Sequence, residues 1–217
     1  MDPQSEKERA CPRPYRLGKR QEAQDLSRER VLDGAREALL DQGASTFTME
    51  GVARRAGVSR QTVYNLFGSK GALLHALLER SARGSAIADL PRAFQNPDPL
   101  AGLTDFIRIF ARFWVGGADL TRRIRGMAAL DPELGEAMRT LQERRLGGIR
   151  GLVGRIQARY GRPDATVAAE VVPTLFMLTS FECYDTLRQN GVAEERIPDL
   201  LVLLARTALA CEEHQSG

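Results

Sequence analysis

The stretch FTMEGVARRAGVSRQTVYNLFGSKGALL, residues 47–74, constrains the fold of this chain more than any other. Its first half carries apolar residues at i, i+3, i+4 and i+7, the spacing of one helical face, and Thr48 precedes them as an N-cap. Gly57 follows, and glycine takes the left-handed backbone of a sharp turn at low cost. Ser59 then stands as the N-cap of a second helix. The stretch therefore predicts two short helices joined by a tight turn.

The second helix has a polar ridge opposite its apolar side. At about 100° per residue, with Val63 facing inward, Leu66 and Phe67 fall on the same side. Gln61 and Asn65 then lie almost opposite. Side chains that carry both donors and acceptors can distinguish base pairs in the major groove, whereas hydroxyl groups and cations suit phosphates. The pattern predicts a helix-turn-helix that reads DNA.

A third helix is predicted to begin after Ser69, with Lys70 in its first turn beside free backbone N–H groups that favour an anion. Only three of the 31 basic residues are lysine, so a lysine here suggests a point charge on a phosphate, although a solvated surface lysine is the alternative. We predict that base edges are read by Arg60, Gln61 and Asn65. Phosphate contacts are predicted for Thr48, Ser59, Thr62, Tyr64 and Lys70.

These residues resemble the tetracycline-repressor (TetR) family of bacterial transcription regulators. The positions that match the family pattern in register are Thr48, Met49, Val52, Ala53, Ala56, Gly57, Val58, Ser59, Thr62, Val63, Tyr64, Phe67, Ser69, Lys70 and Leu73. Three positions depart from it: Phe47 is closer to Thr48 than usual, Gly51 replaces a helix former, and Leu66 stands where His or Tyr is frequent. The specific resemblance covers residues 27–80.

The resemblance implies an all-α protein with an N-terminal three-helix helix-turn-helix domain and a larger helical domain that binds a ligand and dimerises. It implies a homodimer formed through the two C-terminal helices and a double-stranded DNA operator as partner. The expected function is a repressor that a small apolar or aromatic effector releases from a palindromic operator. The alternative is a DNA-binding factor of the same fold without small-molecule control.

Charge and composition agree with DNA as the partner. Residues 1–83 hold 15 basic and 11 acidic residues, a net charge of +4, whereas residues 84–217 hold 16 and 17, a net charge of −1. No acidic residue occurs between Gly51 and Leu78, which removes repulsion of a phosphate backbone, although a solvated basic face has the same composition. Three scattered cysteines and the lack of a long apolar run favour a cytoplasmic protein.

The sequence offers no recognisable catalytic arrangement. Its two histidines, His75 and His214, lie far from any acid and nucleophile, and no metal-binding or nucleotide-binding motif occurs. We therefore expect no enzyme activity, no cofactor and no metal.

The chain is predicted to have three parts: a disordered basic arm over 1–26, the helix-turn-helix domain over 27–83, and the effector-binding and dimerisation domain over 84–217. The first helix is predicted to open at Ser27, and the linking helix to run from 70 to about 86 until the Pro91–Pro99 stretch breaks it. Further helices are predicted over 100–115, 119–130, 132–160, 164–189 and 197–212. Their stops are predicted at Gly116-Gly117, Gly161 and Gly191.

Two groups of apolar residues in the large domain suggest roles. An aromatic stripe lies at helical spacing, and it forms either ordinary core or the wall of an effector cavity. The candidate cavity residues are Phe106, Phe110, Phe113, Trp114, Met127, Phe176, Met177 and Tyr184. The last two long helices are apolar on more than one face, so they are either central in the monomer or paired with a second copy. The candidate dimer-interface residues are Val172, Leu175, Phe181, Leu201 and Leu204.

Overall fold

The computed structural model describes residues 14–42, 46–161 and 165–210. Regular structure within these ranges is entirely helical, which confirms the predicted all-α fold. The helices in chain order are α1 (Pro14–Gln42), α2 (Met49–Ala56), α3 (Arg60–Phe67), α4 (Lys70–Arg83), a 3₁₀ helix (Ala86–Asp89), α5 (Leu90–Gln95), α6 (Pro99–Ala128), α7 (Pro132–Tyr160), α8 (Ala165–Leu178), α9 (Phe181–Gln189) and α10 (Ile197–Ala210).

The N-terminal half folds around the apolar residues that the helical spacing singled out. Val31 and Leu39 of α1 and Val63 of α3 are fully buried in one cluster with the inner face of α4. The same cluster includes Ile124 of α6 and Leu134 of α7. The C-terminal end of α6 and the start of α7 therefore pack against the helix-turn-helix. The two predicted domains, divided between residues 83 and 84, share this core.

The first helix begins earlier than predicted. The predicted disordered arm is wrong over residues 14–26, which belong to α1; residues 1–13 lie outside the described ranges. Ser27 is not an N-cap, because its hydroxyl donates to the carbonyl oxygen of Ala23 within the helix. Residues 14–26 are rich in helix formers, and extension of an anchored helix costs far less than nucleation. The buried residues near Val31 supply that anchor.

The segment after α4 also differs from the prediction. α4 ends at Arg83, and Pro91 lies in the first turn of α5 rather than breaking a helix. Pro99 likewise begins α6. Proline is tolerated in the first turn because the missing N–H has no intrahelical acceptor there. The prolines that were expected to mark a break therefore start two helices.

α6 continues through Gly116 and Gly117, where a stop was predicted. Each glycine costs a helix about 1 kcal/mol relative to alanine. That cost does not end the helix, because buried side chains such as Phe110 and Leu120 hold it on both sides of the pair. α6 and α7 consequently form one long helical pair that spans both halves of the molecule.

The predicted helix over 164–189 is divided into α8 and α9 at Thr179 and Ser180. Ser180 has an extended backbone, and its Oγ accepts the N–H of Cys183 at 3.1 Å as the N-cap of α9. Pro173 lies within α8 on an exposed side, and the helix continues past it. The break therefore comes from a serine cap inside an apolar run, seven residues beyond the proline that was expected to kink the helix.

Candidate DNA-binding surface and effector cavity

The helix-turn-helix has the geometry that its sequence predicted. The Oγ1 atom of Thr48 accepts the N–H of Gly51 at 3.0 Å and caps α2. Gly57 ends α2 in the left-handed conformation, with φ of 63° and ψ of 37°. Ser59 Oγ accepts the N–H of Thr62 at 3.0 Å and caps α3. The turn therefore sets the angle between α2 and α3 through one glycine and two caps.

The ridge of α3 is exposed and polar. Val63 is fully buried, whereas Arg60, Gln61 and Asn65 are exposed, as the phasing predicted. Gln61 Nε2 donates to Asn65 Oδ1 at 2.8 Å, so the two amides lie side by side one helical turn apart. Each amide keeps a free donor or acceptor toward solvent. This arrangement gives the exposed ridge of α3 paired hydrogen-bonding groups, and contacts of these groups with bases remain a prediction.

The residues predicted to hold phosphates surround this ridge. Tyr64 is about one-third exposed and lies 5.4 Å from the Arg60 guanidinium, measured to the ring centre. The hydroxyl groups of Ser59 and Thr62 lie 2.8 Å apart at the start of α3. Lys70 lies in the first turn of α4, with its Nζ atom 5.4 Å from the centre of the Phe47 ring. The structure thus places hydroxyl and cationic groups along the flanks of α3.

The N-terminus of α4 is less open to an anion than the sequence suggested. Ser69 Oγ caps the N–H of Ala72 and donates to Glu133 Oε2 at 2.6 Å. A carboxylate from the second domain therefore already lies at this helix end. The charge of Lys70, rather than the free backbone N–H groups, remains the feature of α4 that favours a phosphate.

Two arginines of α1 stabilise the helix-turn-helix, one at α3 and one at the turn, and sequence reasoning missed them. Arg28 donates to the carbonyl oxygen of Leu66 at 3.2 Å and lies 4.5 Å from the Phe67 ring centre. Arg30 donates to the carbonyl oxygen of Gly57 at 3.4 Å. Both bonds reach carbonyl groups at helix ends, where a cation is favourable. The sequence shows that α1 is rich in arginine, but this composition does not indicate which groups Arg28 and Arg30 contact.

Comparisons with known proteins place this geometry in a family. The family model described as bacterial regulatory proteins, tetR family, matches residues 31–77, which span the helix-turn-helix. This stretch therefore matches the TetR family of transcriptional regulators. It is 47% identical over 57 residues to the HTH-type transcriptional regulator AlkX of Mycobacterium tuberculosis, a match that covers 26% of this chain and only 27% of that protein.

Two longer matches extend the likeness beyond the helix-turn-helix. The HTH-type transcriptional regulator EthR of Mycobacterium tuberculosis is 24% identical over 184 residues, covering 82% of this chain and 85% of EthR. The crystal structure of NalD, the secondary repressor of the MexAB-OprM multidrug efflux pump in Pseudomonas aeruginosa, superposes with a TM-score of 0.59 and 21% identity. That alignment covers 90% of this chain and 100% of NalD. At this identity the structural likeness establishes the TetR fold.

The larger domain contains a cavity of about 480 Å³. It lies between the C-terminal half of α4, α5, α6, α7 and the start of α9. Its apolar wall is a chain of aromatic rings, with 4.8 Å between the ring centres of Phe106 and Phe110 and 5.6 Å between those of Trp114 and Phe181. Four candidate residues from the sequence line it: Phe106, Phe110, Phe113 and Trp114.

The other four candidates do not line this cavity, and their placement is corrected. Met127 belongs to the N-terminal core cluster. Tyr184 is fully buried, and burial raises the pKa of its hydroxyl to about 12. Met177 points outward with 56% of its surface exposed. Phe176 lies behind Arg145, whose guanidinium is 4.1 Å from its ring centre. Helical spacing identified the aromatic stripe on α6. It could not show which faces of α8 and α9 turn toward that stripe.

Two arginines on the cavity wall were missed from the sequence. Arg145 is 91% buried, since its relative exposure is 9%, and burial together with the charge of Arg125 lowers its pKa to about 10. Burial also lowers the pKa of Arg125, which pairs with Glu182. The sequence did contain a signal for Arg145, because Leu141, Arg145 and Ile149 share one face of α7. An arginine in an apolar stripe indicates a charge that faces a partner or a cavity.

The predicted dimer-interface residues divide into two groups. Leu175, Phe181 and Leu201 are buried within the single chain, so their assignment to an interface is corrected: they belong to the core of the large domain. Val172 is half-buried and Leu204 is 41% exposed. The outward apolar residues of α8 and α10 are Pro173, Met177, Leu203 and Leu204, which we call the α8–α10 face.

Neither a membrane-spanning helix nor a metal cluster occurs among the described residues. No helix of the described chain combines the length and hydrophobicity that a membrane span requires. Within residues 14–42, 46–161 and 165–210, no cluster of His, Cys, Asp and Glu side chains has the arrangement of a metal site.

Proposed function

We propose that this protein is a dimeric transcriptional repressor that leaves a palindromic operator when a small molecule occupies the cavity between α4, α6 and α7. The observation that carries the proposal is the position of α4. Its first half packs against α1 and α3 through Leu73, Leu74 and Leu77, and its second half lines the cavity with Leu78 and Ala82. One rigid helix therefore touches both the reading helix and the space available to a ligand.

In the proposed complex each α3 enters a major groove, where Gln61 and Asn65 contact base edges and Arg60 reaches a neighbouring base. Thr48, Ser59, Thr62, Tyr64 and Lys70 contact phosphates. A single reading helix contacts too few bases for tight specificity, so two copies must act together. The α8–α10 face supplies an apolar surface for a second copy, because its side chains lack cover within one chain.

Release follows from the way a ligand would change the position of α4. A ligand that fills the cavity favours conformations in which α4 lies further from α6 and α7. Because α4 carries α3 with it, the distance between the two reading helices of the dimer then changes. A ligand shifts this equilibrium only by its difference in affinity for the two conformations. Repression itself needs no chemistry, since occupancy of the operator excludes the polymerase.

Selection of bound sequences from a random duplex pool tests the DNA-binding half of the proposal. We expect a palindrome whose half-site centres are about 34 to 36 Å apart, or one further turn. Lys70→Ala is expected to weaken binding to all sequences and to lower the salt slope by about one unit, whereas Asn65→Ala alters base preference by roughly 1 to 3 kcal/mol. Arg150→Ala, an exposed arginine on α7, is the control for lost charge. An asymmetric single site would refute the dimer geometry.

The single tryptophan, Trp114, tests the effector half, because it lines the cavity and its Nε1 donates to the carbonyl oxygen of Thr179 at 3.0 Å. An apolar ligand that releases the protein from DNA should change Trp114 fluorescence over the same concentrations. Phe110→Ala should weaken both effects equally and leave ligand-free DNA affinity nearly unchanged. If a ligand releases the protein with no change in Trp114 fluorescence and with full tolerance of Phe110→Ala, the aromatic stripe is ordinary core and the ligand binds elsewhere. A DNA-binding factor without ligand control is favoured if no ligand causes release.

A further inference from the structure

Arg145 is a buried guanidinium on the wall of the cavity with no acidic partner in the described part of the chain. Its relative exposure is 9%, and its pKa of about 10 keeps it protonated at neutral pH. A buried charge is costly unless it is paired or fully hydrogen-bonded. The folded protein therefore carries an electrostatic cost at this position.

The hydrogen bonds of Arg145 use only part of the guanidinium. Its Nη1 atom donates to the carbonyl oxygen of Phe176 and to Thr179 Oγ1, each at 3.3 Å. A guanidinium has five N–H donors, and neither Nε nor Nη2 of Arg145 has a protein acceptor among the residues that the structure describes. Nε and Nη2 of Arg145 are also not completely enclosed by protein atoms. They are the groups available to an acceptor that enters the cavity.

The charges around Arg145 strengthen this preference for an anion. The cavity lining contains four arginines, at positions 83, 125, 144 and 145, and one acidic residue, Glu79. Glu79 is already shared between Arg144 at 3.4 Å and His75 at 3.7 Å. Arg125 pairs with Glu182 outside the lining. Arg145 is thus the buried cation of the wall that no carboxylate neutralises.

We infer that the effector is an amphipathic monocarboxylate, with its carboxylate paired to Arg145 and its apolar body against the aromatic rings of α6. This inference rests on the proposed function and specifies the chemical class of ligand for the same cavity. The planar fork of Nε and Nη2 matches the two oxygens of a carboxylate. The rings of Phe106, Phe110 and Trp114 provide the apolar surface for the rest of the molecule.

The lining argues for a single negative charge rather than several. Among the described residues of the lining, Arg145 is the one buried guanidinium without a carboxylate partner, and Arg144, with 67% of its side chain exposed, is already paired with Glu79. A polyanion would bury charges that the apolar wall cannot neutralise. A neutral ligand of the same shape would leave the charge of Arg145 buried without a counter-charge. A monocarboxylate supplies the one negative charge that Arg145 needs and adds no further charge against the apolar wall.

Paired probes of equal chain length test the inference. Straight-chain alkanoic acids of about eight to fourteen carbons, which suit a cavity of this size, are compared with the matching primary alcohols by Trp114 fluorescence and by calorimetry. We expect each acid to bind at least about tenfold more tightly than its alcohol. Arg145→Met should remove this preference while alcohol binding changes little. Arg150→Met removes an exposed charge from the same helix and should keep the preference.

Each possible result decides the inference. Equal affinity for acid and alcohol in the wild type overturns it, and so does an acid preference that survives in Arg145→Met. Binding of neither series also overturns it, while the operator-selection experiment, which uses no ligand, tests the proposed function separately. Because Arg145 also holds the last turn of α8, circular dichroism must show that Arg145→Met is folded; the wild-type comparison needs no variant.

Discussion

Replacement of Gly57, the glycine at the turn of the helix-turn-helix, should lower the stability of the protein by an amount that follows from its backbone conformation. Gly57→Ala forces a Cβ into a left-handed residue with φ of 63°, which costs an L-amino acid about 1 to 2 kcal/mol. The new Cβ would also lie 2.7 Å from Arg30 Nη2. That clash is cheap, because the end of an exposed arginine can move, and it sacrifices only a 3.4 Å hydrogen bond. The net expected loss is about 1 to 2 kcal/mol.

Gly116→Ala is the matched control with the opposite sign. Gly116 lies inside α6, and a Cβ there would meet no atom within 4 Å. Alanine should therefore stabilise the protein by about 0.5 to 1 kcal/mol. Guanidinium unfolding of both variants, followed by circular dichroism, measures the two changes. Gly57→Ala should also weaken operator binding, since the turn positions α3. A neutral or stabilising Gly57→Ala would refute the assignment of a left-handed turn.

Three further predictions test other parts of the molecule. Glu133→Gln removes a negative charge from the N-terminus of α4, where Glu133 bonds Ser69, and should raise affinity for any duplex by about two- to fivefold at low salt without changing base preference, as measured by fluorescence anisotropy. Leu203→Glu should give a folded monomer in analytical ultracentrifugation, because an exposed apolar residue of the α8–α10 face becomes charged; an unchanged dimer would exclude this face. Asp185→Asn should lower stability at pH 7, because the hydrogen bond from Arg122 lowers the pKa of Asp185; this carboxylate's contribution is present above its unfolded pKa and is lost as pH falls, so the difference from wild type should shrink below about pH 5.

The helix-turn-helix could be predicted closely from sequence because its determinants are local. The caps Thr48 and Ser59 lie three residues from the N–H groups they accept, and Gly57 acts through its own φ. The interruptions in the large domain were harder to predict. Gly116 weakens a helix that tertiary packing nevertheless continues, and Ser180 ends one that is apolar on both sides of the break. In both cases the outcome depends on contacts with other helices, which local propensity does not contain.

The cavity shows the same limit more sharply, because its polar end is built from contacts distant in sequence. Arg145 bonds residues 31 and 34 positions away, and Trp114 bonds Thr179, 65 positions away. Helical spacing placed Trp114 correctly on its own helix, yet it could not show that Arg145 approaches the same α8–α9 junction from α7. Both side chains hold that junction, and Met177 of the α8–α10 face lies within it. A carboxylate paired with Nε and Nη2 of Arg145 would therefore bind a side chain whose Nη1 atom supports the proposed dimer surface, while the rest of the ligand lies in a cavity that α4 also lines. One proposed binding event would thus contact both determinants of operator spacing.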